Sequence, residues 1–384
     1  MDKIHKIVAT TMFGLEEVLE KELILIGAQN IVRGNRHVKF EGDHELIYKA
    51  NLQLRTALKI LKSIKSFIAK NEKDLYKLVS HIRWFKLFSY KQTFSITSTV
   101  NSKYFTHSHY VSLITKDAIV DQFKKKYKLR PSIDVENPDF NIHIHISNDR
   151  CNLYINSSGD SLHKRGYRTN NFRAPINEVL AAGIILMSDW DKNQLLIDPM
   201  CGSGTFLIES AMIAINKAPN ILRNKFGFQK WHDYNETIFN NIKSKLLNEE
   251  KVFNEKILGF DISASAILIA KQHVQNMGLN SIIKISGSNF LSSDGFEGAT
   301  IFLNPPYGKR IMLKGNYYKE IGDTLKQKYT NTSAWIISSD LEAVKKIGLR
   351  PTKKIKLFNG SLECRLLNYK LYKGSKKINK PQNE

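Results

Sequence analysis

The chain has 384 residues, of which 42% are hydrophobic, so it has room for two or three domains that each bury a core. Three scattered cysteines exclude a disulfide scaffold and favour a reducing compartment, and no apolar run approaches the roughly 20 residues of a membrane span. The N-terminus does not have the pattern of a signal peptide, so we expect a soluble, cytoplasmic protein.

The chain is strongly basic, with 58 lysine and arginine residues against 36 aspartate and glutamate residues and a net charge of +22. A polyanion is therefore the first partner to consider. Genome bias is an alternative explanation, because the chain is also rich in the Asn, Ile, Phe and Tyr that an AT-rich genome favours. Both halves are basic, so the distribution of charge does not decide between the two.

The first 56 residues alternate strand and helix patterns. A strand at residues 6–11 precedes a helix that begins after Gly14, and short strands at 31–32 and 38–40 precede a second helix at 44–51. The first helix repeats its apolar residues every three or four positions, which predicts one buried face. This order of elements is typical of a ferredoxin-like unit.

Residues 57–157 form a second basic module. Lysines recur every three to five positions from Lys59 to Lys77, which we interpret as a helix face open to solvent or to a polyanion. His143 and His145 share one face of a strand, but no further residue has the spacing of a zinc ligand, so we expect no metal site. The predicted elements are a helix at 110–128 and strands at 94–100, 142–146 and 151–155, the last two paired as a hairpin.

The second half of the chain has a different pattern. Residues 158–174 are polar and lack periodicity, so we expect a linker. From Pro175 onward, short apolar strands alternate with helices, which predicts a doubly wound, mostly parallel sheet. Residues 216–254 interrupt this pattern as an insertion with an aromatic cluster. The predicted strands are 195–197, 257–260, 282–285, 300–303 and 334–338.

The first of three candidate ligand segments runs from Asp198 to Thr205 (DPMCGSGT) and directly follows a predicted strand. Open α/β sheets bind ligands at this end of their strands. Gly202 and Gly204 let the backbone approach a ligand closely, and the N-terminus of the following helix offers free N–H donors. The segment is neither a phosphate-binding P-loop nor a complete dinucleotide fingerprint.

The second segment is Asp261, which ends the next strand after Gly259 and Phe260. A carboxylate at a strand tip can accept both hydrogen bonds of a ribose diol. The insertion lengthens the separation from the glycines beyond the roughly 20 residues of simple nucleotide folds, so the strand-end position indicates the role and the spacing does not. A helix N-cap is the alternative interpretation of this aspartate.

The third segment is Asn304-Pro305-Pro306-Tyr307, after the strand at 300–303. The two prolines remove N–H donors and stiffen the loop, which leaves the Asn304 side-chain oxygen and the Pro305 carbonyl as a fixed pair of acceptors. Such a pair suits a planar exocyclic amine. Tyr307 offers a flat face on which a base can stack, a contact worth about 1–3 kcal/mol. A rigid structural turn is the alternative interpretation.

In this order, the three segments resemble those of the class I S-adenosylmethionine-dependent methyltransferases that modify exocyclic amino groups. The whole chain resembles the THUMP-domain RNA methyltransferases, and more specifically the bacterial 23S rRNA guanine-N2 methyltransferases. The segment LHKRGYR at residues 162–168 and Gly14-Leu15-Glu16 match the same family. Some members carry a second methyltransferase domain, and we expect this chain to be the form with a single such domain and a single activity.

The resemblance implies an α/β fold in which a Rossmann-like class I methyltransferase domain follows a ferredoxin-like plus THUMP α+β RNA-binding module. S-adenosylmethionine is the implied cofactor, and RNA, in the first place rRNA, is the implied partner, with no metal and no membrane. The implied domains are a ferredoxin-like domain at 1–56, a THUMP domain at 57–157, a linker at 158–174 and a methyltransferase domain at 175–384.

The resemblance also implies roles for individual residues. The expected catalytic residues, around a guanine that flips out of its RNA context, are Asn304, Pro305, Pro306 and Tyr307. The expected cofactor contacts are Asp198, Met200, Cys201, Gly202, Gly204, Thr205, Asp261, Ile262 and Asn289. The expected RNA contacts are Lys164, Arg165, Arg168, Lys309 and Arg310. We expect Cys201 to pack in the cofactor loop and not to act as a methylated thiol.

One position departs from the family pattern. Relatives usually have an acidic residue after the next strand to bind the adenine amine, whereas this chain has Ser288 and Asn289 there. The Asn289 amide oxygen can accept the same hydrogen bond, so the contact is expected from either residue.

Three alternative functions stay open. A tRNA guanine-N2 methyltransferase is one, because THUMP modules also occur on tRNA enzymes. A DNA adenine-N6 methyltransferase would use the same three segments, because the loop recognises an amine and not a base, but the N-terminal half resembles an RNA-binding module. A non-catalytic RNA-binding assembly factor is the third, and the intact ligand segments argue against it.

Overall fold

The computed structural model describes residues 3–168, 175–306 and 316–374. The chain forms two compact units, of which the first contains the residues up to Arg165 together with Ala218–Asn248. The second contains Gly166–Lys217 and the residues from Glu249 onward. Most of the insertion therefore packs within the first unit, although it lies between two strands of the second unit in the chain. Within the described ranges, no helix is long and apolar enough to cross a membrane.

The described part of the first unit contains a seven-stranded sheet. Its strands are β1 (His5–Thr11), β2 (Gln29–Gly34), β3 (His37–Gly42), β4 (Ala57–Ile68), β5 (Phe94–Asn101), β6 (Phe140–Ser147) and β7 (Arg150–Asn156). Their order across the sheet is β2-β3-β1-β4-β7-β6-β5. Four helices alternate with them: α1 (Glu16–Leu25), α2 (His44–Gln53), α3 (Glu72–Ser80) and α4 (Ser108–Tyr127).

The first four strands, with α1 and α2, confirm the predicted ferredoxin-like unit, because they have its strand order and antiparallel pairing. Helix α1 buries Leu19 and Leu23, which lie one turn apart as their spacing predicted. Helix α2 begins where the Asp43 carboxylate accepts a hydrogen bond from the Leu46 N–H at 2.8 Å.

Strand β4 connects this unit to the second module, because it pairs with β1 on one side and with β7 on the other. Strands β6 and β7 form the predicted hairpin, and β5 pairs in parallel with β6. The interpretation of the lysine series as one helix face was wrong, since Lys59, Lys62 and Lys65 lie on β4. Lysines at every third position imitate a helical period, and the pairing of both strand edges overrides that local signal.

The described part of the second unit contains another seven-stranded sheet. Its strands are β8 (Leu196–Asp198), β9 (Ile257–Asp261), β10 (Ile283–Gly287), β11 (Thr300–Leu303), β12 (Ser333–Ser338), β13 (Lys353–Asn359) and β14 (Leu362–Lys370). The order is β10-β9-β8-β11-β12-β14-β13, with β8 to β12 parallel and β13 and β14 antiparallel. Its helices are α5 (Glu178–Met187), α6 (Thr205–Ala214), α8 (Ala264–Asn276) and α9 (Tyr317–Lys328), whereas α7 (Glu236–Asn248) belongs to the first unit.

Helices cover both faces of the second sheet. The Phe302 ring stacks on Phe206 of α6 at 5.3 Å, whereas Ile301 and Leu303 pack in one cluster with Ile321 of α9. Alternate residues of one strand thus face opposite helices, which explains why β11 is apolar throughout. The doubly wound, mostly parallel sheet predicted from these apolar strands is confirmed, and the class I fold that the resemblance implies has this architecture. The antiparallel hairpin of β13 and β14 was not predicted from the sequence.

Candidate cofactor and substrate site

The three ligand segments lie at one edge of the second sheet. Strand β8 ends at Asp198 and β9 ends at Asp261, and Asn304 directly follows β11. Because β8 lies between β9 and β11 and all three strands are parallel, their carboxyl ends are neighbours. The sequence motifs, which are more than 100 residues apart at their extremes, therefore form one site.

The segment after β8 is shaped by its glycines. Gly202 and Gly204 have φ angles of 52° and 82°, in the left-handed region that favours glycine. The Cys201 N–H donates to the Phe260 carbonyl at 2.9 Å, which fastens the loop to the end of β9. A Cβ atom at Gly204 would lie 3.3 Å from the Cβ of Ala270, so α6 and α8 approach closely here. Helix α6 begins at Thr205 with its N-terminus at this edge.

The Asp261 carboxylate supports the same loop. One of its oxygens accepts a hydrogen bond from the Gly202 N–H at 2.8 Å, and the other accepts one from the Ser263 N–H at 2.9 Å. Each carboxylate oxygen has two lone pairs, so both oxygens can still accept a further donor. Asp261 can therefore position the glycine loop and bind a pair of hydroxyl groups at the same time.

Asp198 is a buried carboxyl group, with only 2% of its surface exposed. Burial, and secondly the negative charge of Asp261, raise the pKa of Asp198 to about 8. Its oxygen accepts a hydrogen bond from the Met200 N–H at 3.2 Å, which lowers the pKa by a smaller amount. In the free protein this group holds its proton near neutral pH, and a cationic ligand would favour its ionised form.

The remaining candidate cofactor contacts have distinct environments. Ile262, next to Asp261, is 78% exposed, which is unusual for an apolar residue at the end of a core strand. The Asn289 side-chain oxygen accepts a hydrogen bond from the Leu291 N–H at 3.1 Å and caps a short helix. The Ser288 N–H donates to the Asp261 carbonyl at 3.1 Å. Burial, and the carboxyl groups of Asp198 and Asp261, raise the pKa of Cys201, which therefore stays a thiol.

Asn304 has an unusual side-chain oxygen. This oxygen is buried and has no hydrogen-bond partner among the described residues. Most buried acceptors in proteins are paired, so an unpaired one at a ligand-binding edge indicates a missing donor. Pro305 is buried behind it and Pro306 is half-buried. Tyr307, Lys309 and Arg310 lie outside the described residues.

Tyr317 is a further residue of this edge, and it was not predicted from the sequence. Its hydroxyl lies 3.7 Å from the Met200 sulfur in the glycine loop. Burial, and secondly the charge of Asp261, raise the pKa of Tyr317, so the phenol stays protonated. No motif or spacing separates this tyrosine from the other 14 in the chain.

The candidates for RNA contact that lie in the described residues differ in their exposure and in their contacts within the protein. Lys164 is exposed and pairs with Asp160 at 3.2 Å. The Arg165 guanidinium is buried in the first unit, where it donates to the carbonyls of Leu162 and Arg55 at 2.8 Å and 2.5 Å. Arg168 is bonded within the second unit, to Glu178 and to Thr205. Lys164 is thus the most accessible of the three, with 61% of its side chain exposed, against 23% for Arg168.

The described residues contain no group of three or more His, Cys, Asp or Glu side chains that could hold a metal ion. The chemistry of the described edge therefore consists of carboxyl groups, amide and hydroxyl groups, a glycine loop and a helix N-terminus. Such a set fits an organic cofactor with a diol and cationic groups, together with a substrate that donates hydrogen bonds.

Three known protein families match the chain. The RMKL-like methyltransferase domain matches residues 165–368, which is more than half of the chain. The THUMP domain matches residues 69–156, and the RlmL ferredoxin-like domain matches residues 6–61.

Individual relatives agree with these matches. A Synechocystis protein named as an RNA methyltransferase is 36% identical over 370 residues, which are 95% of this chain and 96% of that protein. Ribosomal RNA large subunit methyltransferase K/L of Vibrio campbellii is 33% identical over 378 residues, 96% of this chain. This chain spans only 54% of that larger protein.

A solved structure is similar over nearly the whole chain. It is the crystal structure of a methyltransferase complexed with SAH, with a TM-score of 0.87 and 31% sequence identity, and the match covers 98% of this chain and 100% of that one. These similarities confirm the predicted resemblance and fold class, and they identify S-adenosylmethionine as the methyl donor, as the motifs predicted. The chain belongs to the RMKL-like methyltransferase family, with a ferredoxin-like domain and a THUMP domain in front of its methyltransferase domain.

Proposed function

We propose that this chain transfers the methyl group of S-adenosylmethionine to the exocyclic N2 amine of a guanine in 23S rRNA. The observation that carries the proposal is the buried, unpaired Asn304 oxygen at the edge that also holds the glycine loop. The THUMP domain and the names of the relatives support RNA as the substrate, and the K/L relatives support ribosomal RNA. This chain spans about half the length of those K/L relatives, and the proposal concerns the methyl transfer at the site described above.

The residues at the edge fit the cofactor. We assign Asp261 to the ribose diol, since both of its oxygens retain acceptor capacity, and the exposed Ile262 to an apolar contact with the adenine ring. Asp198, Met200, Cys201, Gly202, Gly204 and Thr205 form the loop against its methionine and ribose part. Asn289 or Ser288 contacts the adenine amine. When bound, S-adenosylmethionine supplies an electrophilic methyl group on a sulfonium sulfur.

Asn304 and Pro305 orient the substrate amine in this proposal. The Asn304 side-chain oxygen and the Pro305 carbonyl each accept one N–H hydrogen, and Pro306 keeps the loop rigid. The guanine leaves its base stack at a cost of a few kcal/mol and stacks on Tyr307.

The acceptor pair also explains how a weak nucleophile reacts. The N2 lone pair is delocalised into the guanine ring. Two fixed acceptors would favour a tetrahedral nitrogen and stabilise the positive charge that develops as the N–C bond forms and the methyl–sulfur bond breaks. The thioether S-adenosylhomocysteine would be the leaving group, and the methylated amine would lose its extra proton to solvent. Alignment of the nitrogen with the methyl group accounts for further rate enhancement, and no covalent intermediate with the protein is needed.

RNA contacts in this proposal come from both parts of the chain. The exposed Lys164 remains a candidate for RNA contact, as do Lys309 and Arg310, which follow the Asn304–Tyr307 segment in the sequence. Arg165 supports the backbone of its own unit, because its buried guanidinium donates hydrogen bonds to two carbonyl groups.

We also propose the domain limits that the resemblance implies. Residues 218–248 lie within the methyltransferase domain in the sequence but pack in the first unit.

A methylation assay on purified nucleic acids tests the proposal. The protein is incubated with methyl-labelled S-adenosylmethionine and, separately, unmodified 23S rRNA, tRNA and DNA, and the nucleosides are then separated. We expect labelled N2-methylguanosine from 23S rRNA alone. The same nucleoside from tRNA alone, or labelled N6-methyladenine from DNA, would replace the substrate assignment. Cofactor binding without transfer to any of the three would contradict the enzymatic function.

A further inference from the structure

The sheet of the first unit has one face without helices among the described residues. In β6, Ile142, Ile144 and Ile146 are buried in the same cluster as Leu75 of α3 and Phe123 of α4. The alternate residues of β6 point to the opposite face and are half-buried. The helices therefore pack on the isoleucine side only, and the other side, which we call the open face, is left without them.

The strand register places cationic side chains on the open face. Lys39 lies opposite Val8, and Lys59 lies opposite Thr10, so these residues share one side of the sheet. On β6 and β7, His143 lies opposite Tyr154, and their rings stack at 6.4 Å. The cationic and imidazole side chains that the register places on the open face are Lys6, His37, Lys39, Lys59, His143, His145 and Arg150.

The middle of the open face is apolar. Val8, Leu61 and Tyr154, which lie on the adjacent strands β1, β4 and β7, form a small buried cluster there. Strand β3 with Lys39 lies on one side of this cluster, and β6 with His143 and His145 lies on the other. We call this strip of the open face the groove.

The charges of the groove differ from those of the helix side. Among the described strand residues of the open face, the acidic side chain is Glu41, which accepts a hydrogen bond from Asn30. Asp160, outside the strands, lies near Lys59. On the helix side, a pocket between α3 and α4 has Glu72, Asp117 and Asp121 mixed with its basic residues. The groove therefore complements a polyanion better than the helix side does.

We propose that the open face of the seven-stranded sheet binds a single-stranded segment of the substrate RNA. The lysines contact phosphates, and the half-buried ring of His143, which stacks on the buried Tyr154, is the ring that an unpaired base can reach. A single strand can present unstacked bases to such a ring, whereas a duplex keeps its bases paired and stacked. This inference rests on the proposed function, because it assumes that the substrate is RNA.

Binding of a labelled single-stranded RNA 12-mer to the full chain tests the inference. The variant Lys6→Ala/Lys39→Ala removes two exposed charges from the groove, and Lys73→Ala/Lys77→Ala removes two exposed charges from α3 as the matched control. By fluorescence anisotropy, we expect the groove variant to raise Kd about tenfold and to lower the salt slope by about 1.4, because each lost phosphate contact contributes about 0.7. The control variant should change Kd less than about twofold.

The outcomes separate this inference from the proposed function. Equal losses in both variants would show that only net charge matters, and a larger loss in the α3 variant would place the RNA on the helix side. Either result overturns the inference. If the wild type methylates rRNA while the groove variant binds RNA normally, the inference fails and the proposed function stands. Calorimetry with S-adenosylmethionine should give the same affinity for all three proteins and excludes a folding defect.

A second inference rests on the contacts of Arg168. Its guanidinium donates to the Thr205 hydroxyl at 2.7 Å and to the Ile176 carbonyl at 3.0 Å. It also forms an ion pair at 3.1 Å with Glu178, of which 3% is exposed. Thr205 is the first residue of α6, directly after the glycine loop. One side chain thus connects the beginnings of α5 and α6 behind the cofactor site.

We infer that Arg168 is a positioning residue for the glycine loop and that it acts through Thr205, not through RNA. Tyr167, the residue before Arg168, supports the loop indirectly through His273 of α8. The Tyr167 ring lies near the buried His273 ring, and the His273 Nδ1 atom lies 3.1 Å from the Ser203 carbonyl in the glycine loop. The segment before α5 therefore supports the cofactor loop from behind.

Separate binding measurements test this role. For Arg168→Ala, we expect the Kd for S-adenosylmethionine and its KM to rise about tenfold, with kcat at saturating cofactor and the Kd for RNA within about twofold. Arg168→Lys should recover part of the affinity, and Lys164→Ala, a neighbouring exposed cation, should leave cofactor binding unchanged. Weaker RNA binding with normal cofactor binding in Arg168→Ala would overturn the inference. Arg168→Lys keeps the test valid if the alanine variant does not fold.

Discussion

The two seven-stranded sheets differ in the surface that a ligand can reach: the strand ends of the second sheet and one face of the first. Helices cover both faces of the second sheet, so Phe302 and its neighbours Ile301 and Leu303 are all buried. Such a sheet can offer a ligand only the ends of its strands. The first sheet has helices on one face among the described residues, and its other face carries lysine, histidine and uncharged polar residues around a small apolar cluster. A sheet of this kind offers a broad surface.

This difference corresponds to two tasks. A small cofactor and one extruded base need a few fixed groups, which three adjacent strand ends provide at Asp198, Asp261 and Asn304. An RNA strand is extended and charged, and it needs a long surface with little specificity. Variants at the strand ends of the second sheet and on the faces of the first sheet can test this division.

Replacement of the amine acceptor should have the largest effect. We expect Asn304→Ala to lower kcat about 10²–10³-fold, comparable to the loss of one preorganised partner in other active sites, with cofactor affinity almost unchanged. Methyl transfer to rRNA and calorimetry with S-adenosylmethionine measure the two quantities. Asn289→Ala, which lies just after β10 and is separated from β11 by two strands, is the control and should alter cofactor affinity more than kcat. Loss of cofactor binding in Asn304→Ala would contradict the separate roles.

The two faces of the first sheet can be compared at neighbouring residues. Ile144→Ala should lower the free energy of unfolding by about 2–5 kcal/mol, because it leaves a cavity on the helix side. His145→Ala, on the open face, should lower it by less than about 1 kcal/mol. Urea denaturation of both variants gives the values. Similar losses in the two variants would show that the open face is packed like a core.

Removal of the diol acceptor should affect the cofactor alone. Asp261→Ala deletes the acceptor of the Gly202 and Ser263 N–H groups as well as the expected diol contact, so we expect the Kd for S-adenosylmethionine to rise about 100-fold. Asp294→Ala, an exposed carboxylate of the same unit, is the control. RNA affinity, which we assign to the first sheet, should be the same in both variants. A parallel loss of RNA affinity in Asp261→Ala would break the division.

The buried carboxyl group predicts a pH dependence. The pKa of Asp198 is about 8 in the free protein, so the group is protonated below that pH. S-adenosylmethionine carries a sulfonium and an ammonium group, which favour the carboxylate, so binding should release a proton. Affinity should then rise roughly 50-fold from pH 6 to pH 8, because the ionised fraction of a group with a pKa of about 8 rises from about 1% to about 50%. Calorimetry in buffers of different ionisation enthalpy measures the proton, and Asp198→Asn should flatten the profile. A wild-type affinity independent of pH would contradict this account.

The sequence predicted what depends on local patterns. The ligand segments follow apolar strands, so a strand-end position for Asp198, Asp261 and Asn304 followed from the order of the residues alone. The positive φ angles of Gly202 and Gly204 agree with the role that the motif gave these glycines.

The features that were missed depend on long-range packing. Tyr317 reaches Met200 across 117 positions, and the partners of Arg168 lie on two helices further along the chain. The packing of Ala218–Asn248 in the first unit also has no local signal. The lysines of β4 gave a misleading helical period, which strand pairing overrode.

Mass spectrometry of 23S rRNA tests whether this chain methylates the N2 amine of a guanine in cells. The rRNA is taken from cells in which the gene is disrupted and from the same cells that express either the wild-type chain or Asn304→Ala. We expect one N2-methylguanosine to disappear from 23S rRNA on disruption and to return with the wild-type chain but not with the variant. An unchanged level of N2-methylguanosine in all four samples, the undisrupted cells included, would contradict this expectation.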